Sequence, residues 1–92
     1  MMNSEKLKVV IELLQKEKPL DARKAFDEIT PVETVEYLMV KGKLEQKFQN
    51  WGNAINAFSR VVEIEPENVE AKNHLHLIQN ILNFYNPEMF NP

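Results

Sequence analysis

An all-α fold of about five short helices, stacked as antiparallel hairpins, is what this sequence predicts. Three observations predict it. Apolar residues recur at three- and four-residue spacing along the chain, with no sustained alternation of the strand type. Capping residues and prolines fall between the periodic stretches, at Ser4, Pro19, Thr30-Pro31, Asn50, Pro66 and Asn68. The connections left over are a few residues each, and short connections make antiparallel neighbours.

The first helix is expected over about 4–16, with Ser4 or Asn3 as cap and Glu5 in the first turn, where the helix dipole favours an acid. Leu7, Val10, Ile11 and Leu14 make its apolar stripe, widened by Val9 and Leu13. The second covers about 19–29. Pro19 suits its first position, because the missing N–H would be unpaired there anyway, and Ala22, Ala25, Phe26 and Ile29 give a narrow stripe. The third covers about 31–48, opening on Thr30-Pro31-Val32-Glu33, a capping box with proline at the first position. The fourth covers about 51–64, capped by Asn50. Its apolar residues, from Trp51 through Phe58 to Ile64, spread over half its circumference, so it needs a neighbour on each side. The fifth covers about 68–85, capped by Asn68, and a tail follows over 86–92.

Composition narrows the function classes. Ninety-two residues make one domain, and an apolar fraction of 43% supports a core. Two glycines disfavour a phosphate-cradling loop, and a formal charge of −3 disfavours nucleic acid. No cysteine is present, so disulfides and thiolate ligands are excluded, and a reducing setting suits the chain. The apolar positions near the start are interrupted by Glu12, Gln15 and Lys16, unlike a signal peptide. No run approaches the roughly 20 apolar residues of a membrane helix, and the expected location is the cytoplasm.

Two stretches rhyme. "DARKAF" at 21–26 and "NAINAF" at 53–58 align Ala22 with Ala54, Ala25 with Ala57 and Phe26 with Phe58, at a spacing of 32. "VEY" at 35–37 and "VEA" at 69–71 align at 34. With Gly42 twelve residues before Ala54, Trp51 opening the following helix, and Phe58 and Pro66 after it, the second unit resembles the tetratricopeptide repeat family, whose helix–turn–helix unit is about 34 residues. The resemblance divides the single domain 1–92 into a degenerate first unit (about 4–30), a second unit (about 31–66) and a capping helix (about 68–85), with the tail 86–92 beyond. It implies that the first helix of each unit lines a concave groove. In its register Lys41 and Glu45 fall where apolar residues are usual. They are four apart and can pair on a wet surface, or the helix is rotated by one residue to bury Tyr37, Val40, Leu44 and Phe48.

The fifth helix carries two stripes. Ala71, Leu75, Ile78, Leu82 and Tyr85 suffice to close the core; Leu77, Ile81 and Phe84 form a second stripe beside polar residues. A terminal cap needs a polar outside, so the second stripe points to a cover: a partner segment, a second copy, or the tail through Met89 and Phe90. The resemblance implies a partner-binding groove of Met39, Lys43, Gln46 and Lys47 on the third helix and Asn73, Leu77, Asn80, Ile81 and Phe84 on the fifth. Lys43 and Lys47 favour an acidic segment. The family's carboxylate clamp needs a set of Lys, Asn and Arg that Met39, Lys43, Glu70 and His74 do not reproduce.

No catalytic constellation is visible. His74 and His76 are two apart and diverge on a helix, whereas helical metal pairs are three or four apart. Ser4 and Ser59 have no base nearby in sequence, and the carboxylates sit beside lysines as on solvated faces. The expectation is therefore a non-enzymatic module that binds a protein or peptide, with no metal and no cofactor. The alternative is a homodimer built by the fifth helix and the tail.

Overall fold

The computed structural model describes residues 2–85, with side chains from 3 to 84; the tail 86–92 and the Tyr85 side chain lie outside the described residues. Five helices follow one another: α1 (Met2–Gln15), α2 (Pro19–Asp27), α3 (Val35–Lys47), α4 (Trp51–Ile64) and α5 (Val69–Tyr85). α1 pairs with α2 and α3 with α4 as antiparallel hairpins; α1 and α2 also pack on α3, and α5 closes on α4. The chain is all-α among the described residues, as its periodicity predicts.

The two hairpins are built alike. α1 and α3 both end in a Schellman turn, in which the chain reverses through one left-handed residue. Lys18 N–H donates to Leu13 O at 2.9 Å and Glu17 N–H to Leu14 O at 3.1 Å; Asn50 N–H donates to Glu45 O and Gln49 N–H to Gln46 O, both at 2.9 Å. Glu17 and Gln49 take φ of 60° and 61°, and they are 32 residues apart, like the alanines and phenylalanines. The following helices begin at Pro19 and Trp51, again 32 apart. The helix after each unit is capped identically. Tyr37 N–H donates to Thr34 Oγ1 at 3.2 Å, and Ala71 N–H to Asn68 Oδ1 at 2.8 Å. These caps are 34 apart and head the "VEY" and "VEA" rhyme. The difference of two residues is the net of two changes, a helix α2 five residues shorter than α4 and a following connection three residues longer. Residues before proline avoid the helical region, so Pro31 ends α2 early and leaves a longer connector than Pro66 leaves after α4.

A left-handed non-glycine residue costs about 1 kcal/mol relative to glycine. Gln49 makes no cap with its side chain, so Gln49→Gly is expected to raise stability by about 0.5–1 kcal/mol in urea unfolding.

Several expectations need correction. The helix α3 starts at Val35, capped by Thr34, and not at Pro31 with Thr30. Residues 31–34 form no regular element instead, with Thr34 extended: Val32 packs against the core, and Glu33 accepts from Arg60 at 2.7 Å. Ser4 is inside α1 and caps nothing; its hydroxyl donates to Glu36 at 2.9 Å. Asn50 precedes α4 but its amide is turned to Glu45, leaving the helix without a side-chain cap. Val9 is 47% exposed and does not widen the core stripe.

The core runs through both hairpins and under α5. Leu7, Val10, Ala22, Leu44, Ala54, Phe58, Val61, Ala71 and Ile78 are all essentially inaccessible. α4 buries Ala54, Ala57, Phe58 and Val61 between α3 and α5, which accounts for its wide apolar arc. Gly42 of α3 lies directly against the Phe58 ring of α4. A Cβ there would stand 2.6 Å from Phe58 Cε1 and Cζ, so the ring occupies the space that any side chain would need.

Glu45 is the one charged residue buried among the described residues. It does not pair with Lys41. Arg23 on α2 clamps it with two bonds, Nη1 to Oε2 at 3.2 Å and Nη2 to Oε1 at 3.0 Å, and Asn50 Nδ2 donates to Oε1 at 2.8 Å. The guanidinium also lies over the Phe48 ring, 5.0 Å from its centre. Burial pushes the Glu45 carboxyl up, but the Arg23 and Asn50 hydrogen bonds and the Arg23 charge outweigh it and hold it below its ordinary value.

Candidate functional site

One face of the molecule is furnished by the first helices of the hairpins and by α5. A string of depressions crosses it. The first, about 220 Å³, is walled by Ile11, Leu14 and Gln15 of α1 and by Lys43 and Lys47 of α3. The second, about 270 Å³, shares the two lysines and adds Gln46, Gln49, Trp51 and His74. From it one branch of about 270 Å³ follows Glu70, Asn73, His74 and Leu77 on α5. The other, about 440 Å³, is formed by Gln49, Trp51, Asn80, Ile81 and Phe84. Shared walls make these one continuous groove with apolar ends and a cationic middle.

Of the nine residues expected to line the groove, eight do. Lys43, Gln46 and Lys47 stand on α3, and Asn73, Leu77, Asn80, Ile81 and Phe84 on α5. Leu77 is 47% and Phe84 80% exposed, so the second stripe of α5 does lie outside the core. Met39 is the exception. It is buried, 7% accessible, because α3 is contacted by α1, α2 and α4 and has almost no free side along its first two turns. A tail cover through Met89 and Phe90 lies outside the described residues.

Five wall residues were not foreseen: Ile11, Leu14, Gln15, Gln49 and Trp51. Ile11 and Leu14, expected in the core stripe, are half-buried and open to the groove. Trp51, expected in the core, packs against it with one side and walls two depressions with the other. His74, which the resemblance places at a groove position, walls two depressions. Its ring stacks on Phe58 with centroids 4.5 Å apart and planes at 7°. For Ile11, Leu14 and Gln15 the spacing of 32 to Lys43, Gln46 and Lys47 was a signal, but apolar character alone reads as core.

The polar middle is cross-linked. Lys43 Nζ is 2.6 Å from Glu70 Oε2, and Lys47 Nζ is 2.9 Å from Glu17 Oε1. His74 Nδ1 lies 2.9 Å from Gln46 Oε1; a carbonyl oxygen only accepts, so Nδ1 carries the proton. Nε2 then faces Glu70 Oε2 at 3.8 Å. Burial lowers the His74 pKa below its ordinary value; Glu70 pulls it upward and Lys43 presses it down again.

Among the described residues no group of three His, Cys, Asp or Glu side chains converges as a metal site, and no helix is long and apolar enough to cross a membrane. What the groove offers is shape, apolar surface and hydrogen-bond donors. Comparison with protein families, curated proteins and solved structures finds no match.

Proposed function

We propose that the chain is a small protein-interaction module, a tetratricopeptide-like array of two units and a cap, that holds a peptide or helix of a partner protein in this groove. The single observation that carries the reading is the continuity of the groove across α1, α3 and α5, ending on the exposed side chain of Leu77 and the half-buried one of Ile81. Exposed apolar surface of this kind is uncommon where nothing binds. The equal turns and caps of the two hairpins support the repeat reading. The chemistry is non-covalent: apolar anchors supply affinity, and the lysines and carboxamides orient the bound segment. A cytoplasmic setting fits the absence of cysteine.

The full chain, immobilised, is expected to retain a partner from its source cell. Leu77→Glu with Ile81→Glu should lower that retention at least about 100-fold, because two carboxylates replace two anchors. Both positions lie outside the fully buried core, so urea unfolding of the double variant should stay within about 1 kcal/mol of the parent. Retention of the same partner by the double variant would refute the groove. Light scattering at high micromolar concentration separates the other occupant: a dimer that the double variant dissolves makes a second copy the partner.

A further inference from the structure

We propose that the middle of the groove is a proton-coupled site for a carboxylate of the bound segment, with His74 as the switch. The inference rests on the groove reading above and adds its regulation.

The central depression is walled by Lys43, Gln46, Lys47, Gln49, Trp51 and His74. None is an acid, and each carries a nitrogen able to donate. Two ammonium groups in a concave apolar frame suit an anionic oxygen. The frame, with Ile11 and Leu14 on one side and Ile81 on the other, suits a polypeptide carrying that oxygen better than a free ion.

In the empty protein Glu70 answers Lys43. The same Glu70 oxygen, Oε2, lies 2.6 Å from Lys43 Nζ and 3.8 Å from His74 Nε2. With the proton on Nδ1 and given to Gln46, Nε2 turns only a lone pair to Glu70. A second proton converts Nε2 to a donor and the ring to a cation. His74 then competes for Oε2, and Lys43 is loosened toward the cavity. The charged groups facing the ring are Lys43 and Lys47 from α3 and Glu70 from its own helix; α4 contributes Phe58 and Trp51, which carry no charge.

The direction follows from linkage. Burial keeps the ring neutral above an ordinary value near about 6.5. An entering carboxylate adds negative charge beside it and favours the protonated ring, so protonation must favour the carboxylate by the same factor. The stability of the empty protein runs the other way: the contribution of neutral His74 is complete above about pH 6.5 and is lost as pH falls through its lowered folded value.

The test uses the full chain, its single tryptophan as fluorescent reporter, and acetylated, amidated deca-glutamate as probe at low salt. The dissociation constant is expected to fall about tenfold between pH 7.5 and 5.5. Saturating probe should raise the midpoint of the His74 ring shift followed by NMR, a readout that needs no variant. His74→Gln should bind with no pH dependence, and inorganic phosphate should not reproduce the effect. A flat wild-type profile, an unmoved His74 midpoint, or equal pH dependence in His74→Gln overturns the switch. Phosphate matching deca-glutamate overturns the carboxylate assignment. If the partner is lost from the Leu77/Ile81 double variant while its wild-type affinity ignores pH, the groove stands and the switch falls. If the switch behaves as expected while the partner ignores the double variant, the groove reading falls instead.

Discussion

Phe58→Ala is expected to destabilise the protein by about 3–5 kcal/mol, read as a lower urea midpoint at unchanged slope. The ring is fully buried. It fills the space beside Gly42 on α3, where even a Cβ would meet it at 2.6 Å, and it carries His74 of α5 on its face. Deleting it removes the transfer energy of a large aromatic and leaves a cavity where α3, α4 and α5 meet. That cavity cannot collapse cheaply, because two further helices are propped on the same ring. A loss below about 1 kcal/mol would mean that Phe58 does not hold these helices together. The His74 ring should also lose its stacked environment, visible as a change in its NMR shift.

Arg23→Ala is the second large effect. It leaves Glu45, whose side chain is 8% exposed, with only the neutral amides of Asn50 and Asn53 as partners. Breaking a fully buried pair costs about 3–5 kcal/mol. The Arg23 side chain is 29% exposed, so water and salt screen part of the loss, and about 2 kcal/mol is expected. The pH dependence identifies the cause. In the wild type Glu45 is held below its ordinary value, so its stabilisation is present above about pH 4.3 and is lost as pH falls through the folded value. Without Arg23 burial dominates and pushes the carboxyl up, so protonation on acidification relieves the variant. The stability gap between the two proteins should therefore narrow from pH 7 toward pH 4. A gap that is constant over this range would mean that Arg23 acts through packing on Phe48 and not through its charge.

Much of the architecture was readable because it is local or repeated. The spacing of 32 between Ala22 and Ala54 and between Phe26 and Phe58 marks equivalent positions after equivalent Schellman turns, and the spacing of 34 marks equivalent caps at Thr34 and Asn68. The exposed stripe of α5 was readable because one stripe already closes the core. What escaped depends on neighbours far along the chain. Glu45 looked like a surface acid because its partner Arg23 is 22 residues away on another hairpin. Thr30 and Thr34 both head plausible first turns, and only tertiary packing of Val32 and the Glu33–Arg60 bond selects the later one. Met39 was placed in the groove by helical register. Yet Tyr37, Leu38, Met39 and Val40 are all buried, since a helix enclosed by three others has no single inward face. Apolar character likewise did not separate the core residue Leu7 from Val9 on the surface or from the groove wall at Ile11.

Site-specific photocrosslinking in the source cell tests the central claim most directly. A photoreactive side chain is placed in turn at Lys47, at Leu77 and, as a reference outside the groove, at Leu20, which is 75% exposed on α2. The groove account predicts one and the same protein adduct from positions 47 and 77, abolished by Ile81→Glu, and none from position 20. Adducts from position 20 alone, or equally from all three, would contradict it.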